Sequence, residues 1–115
     1  NMTYMFQGTG LTSLDLSSWD VTKVTIFDCM FYNANKLTSL NLSTWGTNRT
    51  AISVSMGDMF YGTSALSTLN LTDFKTTNVT NMSYMFYGTS ALTTLNLTDF
   101  KTTKVTYMNY MFEGT

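Results

Sequence analysis

The sequence predicts a repeat solenoid: one parallel β-sheet with one short strand per repeat of about 26 residues, and loops and short helical or 3₁₀ turns on the other face. Three observations predict it. The dipeptide Met-Phe recurs at Met5, Met30, Met59, Met85 and Met111, with spacings of 25, 29, 26 and 26 residues, and a period in this range is the signature of a stacked array. The units Met59 to Tyr84 and Met85 to Tyr110 agree at 22 of 26 positions. Each unit also carries Leu-x-x-Leu-x-Leu, as at Leu66, Leu69 and Leu71 or at Leu92, Leu95 and Leu97.

The chain reads as a single solenoid segment, residues 1–115, with repeats at about 5–29, 30–58, 59–84 and 85–110 and partial repeats at both ends. The last two leucines of each motif alternate with polar residues, as a half-buried strand requires. Leu69 and Leu71 are therefore expected inside, with Thr68, Asn70 and Thr72 outside. An aromatic follows at Trp19, Trp45, Phe74 or Phe100. Then come a polar stretch and Val79-x-x-Met82-x-x-Met85-Phe86, whose spacing predicts a short helical or 3₁₀ turn rather than a second strand. Gly62 and Gly88 allow the sharp turn into the next strand, because glycine accepts positive φ. The first unit has a shorter turn, Gly8-Thr9-Gly10 in place of Gly62-Thr63-Ser64-Ala65. The second has about three extra residues near Asn48-Arg49-Thr50, which predicts a bulged loop with Ile52 and Val54 straddling the place of Val79. One unit cannot bury its own apolar face, so stacking is obligatory. Neither end carries a cap with a polar outer face. The expectation is a window on a longer array, or a subunit whose ends meet those of its neighbours.

Composition excludes several function classes. Seven acids against six bases give a net charge of -1, so no basic field attracts phosphate backbones and no nucleic-acid partner is expected. Histidine is absent, which removes the commonest general base and metal ligand. The single cysteine, Cys29, cannot form an internal disulfide. No apolar run is long enough to span a membrane, and no basic region precedes an apolar stretch at the start, so this segment is not expected to insert into a membrane.

The stretch MFYGTSALTTLNLTDFKTTKVTYMNYMF resembles the bacterial surface-protein repeat of about 26 residues found in mycoplasma lipoproteins and Gram-positive wall proteins, related to BspA-like leucine-rich repeats. The resemblance covers essentially the whole chain. It implies a leucine-rich-repeat-like solenoid displayed on a cell surface, with adhesive or structural roles and no catalytic residues. Many members carry cysteine where this chain has Thr9, Ala34, Thr63, Thr89 and Thr115. Disulfide cross-links along the stack are therefore not expected.

The residues that could carry chemistry mostly read as packing. The nine methionines fall into two repeat phases, Met2, Met56, Met82 and Met108 and then Met5, Met30, Met59, Met85 and Met111, so core filling is favoured over a copper(I) site. Tyr32, Tyr61 and Tyr87 are expected at the surface with partly covered rings. Asp73 and Asp99 stack near each other, as do Lys75 and Lys101. Alternating acid and base then compensates, and two carboxylates do not supply the oxygens calcium needs. As copies of one loop, those carboxylates also lack the asymmetry of an acid/base pair. No catalytic residue, metal or cofactor is expected.

The polar ranks beside the strand are the candidate binding face, with Thr68, Asn70, Thr72, Thr94, Asn96 and Thr98 as its best-ordered members. Such ranks suit hydrogen-bonded ladders that reinforce parallel stacking, and they also suit a carbohydrate- or ice-binding face. Asn-x-Ser/Thr triplets occur at Asn1, Asn41, Asn48, Asn70, Asn78, Asn81 and Asn96. A repeat rich in Asn and Thr generates them by composition, and the loop positions Asn48 and Asn78 are the better glycosylation candidates.

The function expected is a non-enzymatic, extracellular structural or adhesive repeat module of a surface protein. Its partners are neighbouring repeats or copies of itself, and host or matrix glycans or proteins. A head-to-tail filament subunit and a carbohydrate- or ice-binding solenoid face are the alternatives.

Overall fold

A computed structural model describes all residues, 1–115. Five short strands form: β1 (Ser13–Asp15), β2 (Ser39–Asn41), β3 (Val54–Ser55), β4 (Thr68–Asn70) and β5 (Val79–Asn81). They make two parallel sheets, a three-stranded one in the order β1-β2-β4 and a two-stranded one of β3 and β5. Equivalent positions of successive units lie side by side: Leu14 pairs with Leu40 and Leu40 with Leu69. Between units two and three, Val54 opposes Val79, and the register shifts by one before Ser55 opposes Asn81. The three-residue excess of the second unit is absorbed just before that point. Ile52 is pushed out, 84% exposed, while Val54 takes the buried place of Val79.

Two expectations about the elements are corrected. No helical or 3₁₀ turn forms over Val79 to Phe86; Val79–Asn81 is the strand β5, and a run of hydrogen-bonded turns follows it. Within that run the N–H groups alternate in destination. Met85, Tyr87 and Thr89 donate back to Met82, Tyr84 and Phe86, whereas Met82, Tyr84, Phe86 and Gly88 donate to Tyr107, Asn109, Met111 and Glu113 of the next unit. A helix would spend consecutive N–H groups within itself, leaving none to hold the stack. Tyr84 also sits at φ 54°, as do Tyr4, Cys29, Asp58 and Tyr110 within a few degrees. A left-handed residue in each turn ends any helical run. Gly62 has φ 68°, and a Cβ added to it would collide with the Asn33 side chain.

The second correction concerns the sheet. The expected single sheet of four strands is two sheets, and Thr94–Asn96 forms no strand beside β4. The last unit is held instead by the turn ladder and by Thr76, whose hydroxyl donates to Lys101 O (3.0 Å) and accepts from Lys101 N–H (2.7 Å).

Twenty-two buried apolar residues form one core. Phe6, Phe31, Phe60, Phe86 and Phe112 stack in one column, with centroids 5.3–5.8 Å apart and ring planes within 12° of parallel. Trp45 is buried and its indole N–H donates to Leu16 O at 2.8 Å. Thr63 and Thr89, at two positions where the resembling repeats carry cysteine, are fully buried. Each hydroxyl donates to the Phe carbonyl three residues back, at 2.8 Å. A hydroxyl satisfied within its own turn costs little to bury.

Candidate functional site

The strand face brings the first three units together and not the fourth. Ser13, Ser39 and Thr68 pair in one rank, and Asp15, Asn41 and Asn70 in the next. Thr68, Asn70 and Thr72 lie exposed on it; Thr94, Asn96 and Thr98 are also exposed, but on a segment that makes no ladder.

At the last residue of β1, β2 and β4, and at the matching Asn96, the Asx carbonyl or carboxylate is already engaged. Asp15, Asn41, Asn70 and Asn96 each accept, through Oδ1, the backbone N–H two residues on, all at 3.0 Å. The Thr98 hydroxyl turns inward to the same acceptor on Asn96, as the Ser17 hydroxyl does on Asp15. These are Asx turns, which end an extended run by giving the following N–H a local partner. The hydroxyls of Thr68, Thr72 and Thr94 and the amide N–H groups of Asn70 and Asn96 make no side-chain hydrogen bond. They are what the face has to offer: isolated donors on a shallow surface.

The same geometry accounts for five of the seven sequons, Asn41, Asn70 and Asn96 among them. Asn1 and Asn81 also accept from the residue two ahead, through backbone and hydroxyl alike. Asp20 does so with Thr22, and Asp15 with Ser17, so the turn takes aspartate as readily as asparagine. Asn-x-Ser/Thr at these positions is a turn signal first. Of the two loop candidates, Asn78 spends both ends of its amide, donating to Ala51 O and accepting from Lys104, each at 2.8 Å. Asn48 is exposed, at φ 55°, with no side-chain hydrogen bond.

The charged loop positions compensate across units. Lys75 Nζ lies 2.6 Å from Asp99 and 3.6 Å from Asp73. The hydrogen bond to Asp99 raises the lysine above its usual range, and the same bond holds the Asp99 carboxyl low. Tyr32, Tyr61 and Tyr87 are half-buried and stacked, with centroids 4.7 and 4.6 Å apart, so neighbours cover the ring faces and leave the edges outward. Asp28 accepts from the Ser55 hydroxyl and Gly57 N–H, at 2.5 and 2.8 Å. Beside it, burial and then the Asp28 charge push the Asp58 carboxyl up, and burial does the same to the Cys29 thiol.

A polar cleft between the second and third units escaped the sequence reading. Its signal was the extra length around Asn48-Arg49-Thr50, which marked a bulge without showing what the bulge encloses.

The sequence matches the family described as "Mycoplasma protein of unknown function, DUF285" over residues 1–66 and again over 48–115, which together take in the whole chain. No curated protein and no solved structure gives a match.

Proposed function

The chain belongs to the DUF285 family of Mycoplasma proteins, and from that membership together with its stacked units we propose that it is a non-enzymatic structural or adhesive repeat module of an extracellular surface protein, coiled as a leucine-rich-repeat-like solenoid. The observation that carries this reading is the in-register pairing of one polar triplet with its copies, Ser13, Ser39 and Thr68 and then Asp15, Asn41 and Asn70. The first three units present a hydroxyl in one rank and an Asx side chain in the next, about 4.8 Å from rung to rung. These groups are exposed on β1 and β4 and half-buried on β2. Weak contacts repeated along a rigid stack reach useful strength through effective concentration.

The test immobilises the 115-residue chain on beads at graded density and measures retention on surfaces coated with host glycans or matrix proteins. Retention should rise more steeply than in proportion to density, while the free chain binds weakly. Beads at the highest density that adhere no better than bare ones would overturn the adhesive reading.

A further inference from the structure

The second unit's extra residues open a gap in the stack. On one side of the gap Lys75 N–H donates to Trp45 O at 2.8 Å, and on the other Val54 N–H donates to Asn78 O at 2.9 Å. Between these two points residues 46–53 arch toward the first unit, where Thr50 N–H donates to Thr22 O at 3.2 Å. A cleft of about 430 Å³ is left between the arch and the third unit, with no apolar side chain in its lining. That volume is of the size that takes a small ligand.

Arg49 lines this cleft and has no carboxylate partner. Its Nη1 donates to Val24 O (2.9 Å) and Val21 O (3.4 Å), and its Cζ lies 5.2 Å from the centroid of the Phe27 ring. The other edge of the guanidinium, Nε and Nη2, is shielded from solvent and has no hydrogen-bond partner. A charged donor in that condition is costly, and the Nε–Nη2 edge is the fork that grips a carboxylate or sulfate through two parallel hydrogen bonds. Asn48 and Thr77 also line the cleft, exposed and with no side-chain hydrogen bond. Lys75 also lines the cleft, but its charge is already answered by Asp73 and Asp99. Arg49 is the unanswered charge of the cleft.

We propose that this cleft binds an acidic sugar, its carboxylate or sulfate group meeting the free edge of Arg49 and its ring hydroxyls meeting Asn48 and Thr77. The purely polar lining selects a hydroxylated anion over an apolar one. The site is separate from the strand face and does not depend on the adhesive reading. Because the Arg49 edge is covered, binding shifts the 48–53 arch.

The experiment titrates the 115-residue chain with N-acetylneuraminic acid, a sulfated disaccharide, glucose and inorganic sulfate, following backbone amide resonances. Expected are saturable shifts at Asn48 to Ser53 and at Thr77 and Asn78 with one or both acidic sugars, and none with glucose. The carboxylated and sulfated probes tell the two acid groups apart. Arg49→Gln should weaken binding at least tenfold. Since that change also removes the bonds to Val21 and Val24, Thr77→Val serves as a second variant; it should weaken binding about threefold with the Trp45 emission unchanged. Shifts scattered outside the cleft, equal binding of glucose, inorganic sulfate binding as tightly as the sugars, or no loss in both variants would each overturn the proposal.

Discussion

Replacing Phe60 by leucine isolates what the phenylalanine column contributes. Phe60 is fully buried, with Phe31 at 5.7 Å and 4° on one side and Phe86 at 5.3 Å and 12° on the other. Leucine keeps most of the apolar burial but ends both ring contacts, each worth about 0.5–1.5 kcal/mol beyond the area it covers. The shape change adds up to about 1.5 kcal/mol, so the loss is roughly 1–4.5 kcal/mol. Phe112 supplies the internal control. It has one stacked neighbour, Phe86 at 5.8 Å, and is 46% exposed, so Phe112→Leu should cost under about 1 kcal/mol. Urea unfolding followed by the emission of buried Trp45 measures both, and the gap should also appear as a melting-point difference of several degrees, at about 4–8 °C per kcal/mol for a small domain. Equal losses at the two positions, or a larger one at Phe112, would refute the claim that interior rings are stabilised from both sides.

Trp45→Phe removes the indole N–H bond to Leu16 O but leaves that carbonyl its bond from Trp19 N–H, so a loss of about 1–2 kcal/mol is expected in the same urea assay. Asp58→Asn should stabilise at neutral pH. The folded-state pKa of Asp58 is raised above 3.8, so the parent holds its full stability below the unfolded value and loses some as pH rises through the folded one. The advantage of the variant should therefore narrow as thermal melts are taken below about pH 4. Asn70→Ala should cost about 1 kcal/mol by stranding the Thr72 N–H, while Asn70→Asp keeps the acceptor and should melt within a degree or two of the parent.

Much of this was legible in the sequence because identical units stack identical side chains. The rank of Leu14, Leu40 and Leu69, the aromatic column, the outward Thr68 and Asn70 and the bulge before Val54 followed from phase alone. The Val79 to Phe86 stretch misled because a chain of turns that sends every second N–H to the next unit places apolar side chains at spacings of three, just as a helix does. Nothing in the residue types distinguishes the two until inter-unit bonding is counted. The sequons carry two meanings: the triplet that marks a glycan acceptor is also the triplet of an Asx turn with a hydroxyl two residues on. Only the aspartates at Asp15 and Asp20, performing the same task, separate these meanings. The unpaired Thr94–Asn96 segment had no signal at all, since its three residues are identical to those of β4.

The Asx column frees charge from architecture. Since a carboxylate and a carboxamide serve the turn equally, one edge of the stack can be recoloured from neutral to acidic by single-atom-group exchanges, with no rebuilding beneath. Two adjacent carboxylates about 4.8 Å apart in water would repel by roughly 1 kcal/mol, a tolerable sum for a few rungs and a mounting one for a long run. Exchange of one of these asparagines for aspartate keeps the acceptor of the turn and is felt as a change in surface potential.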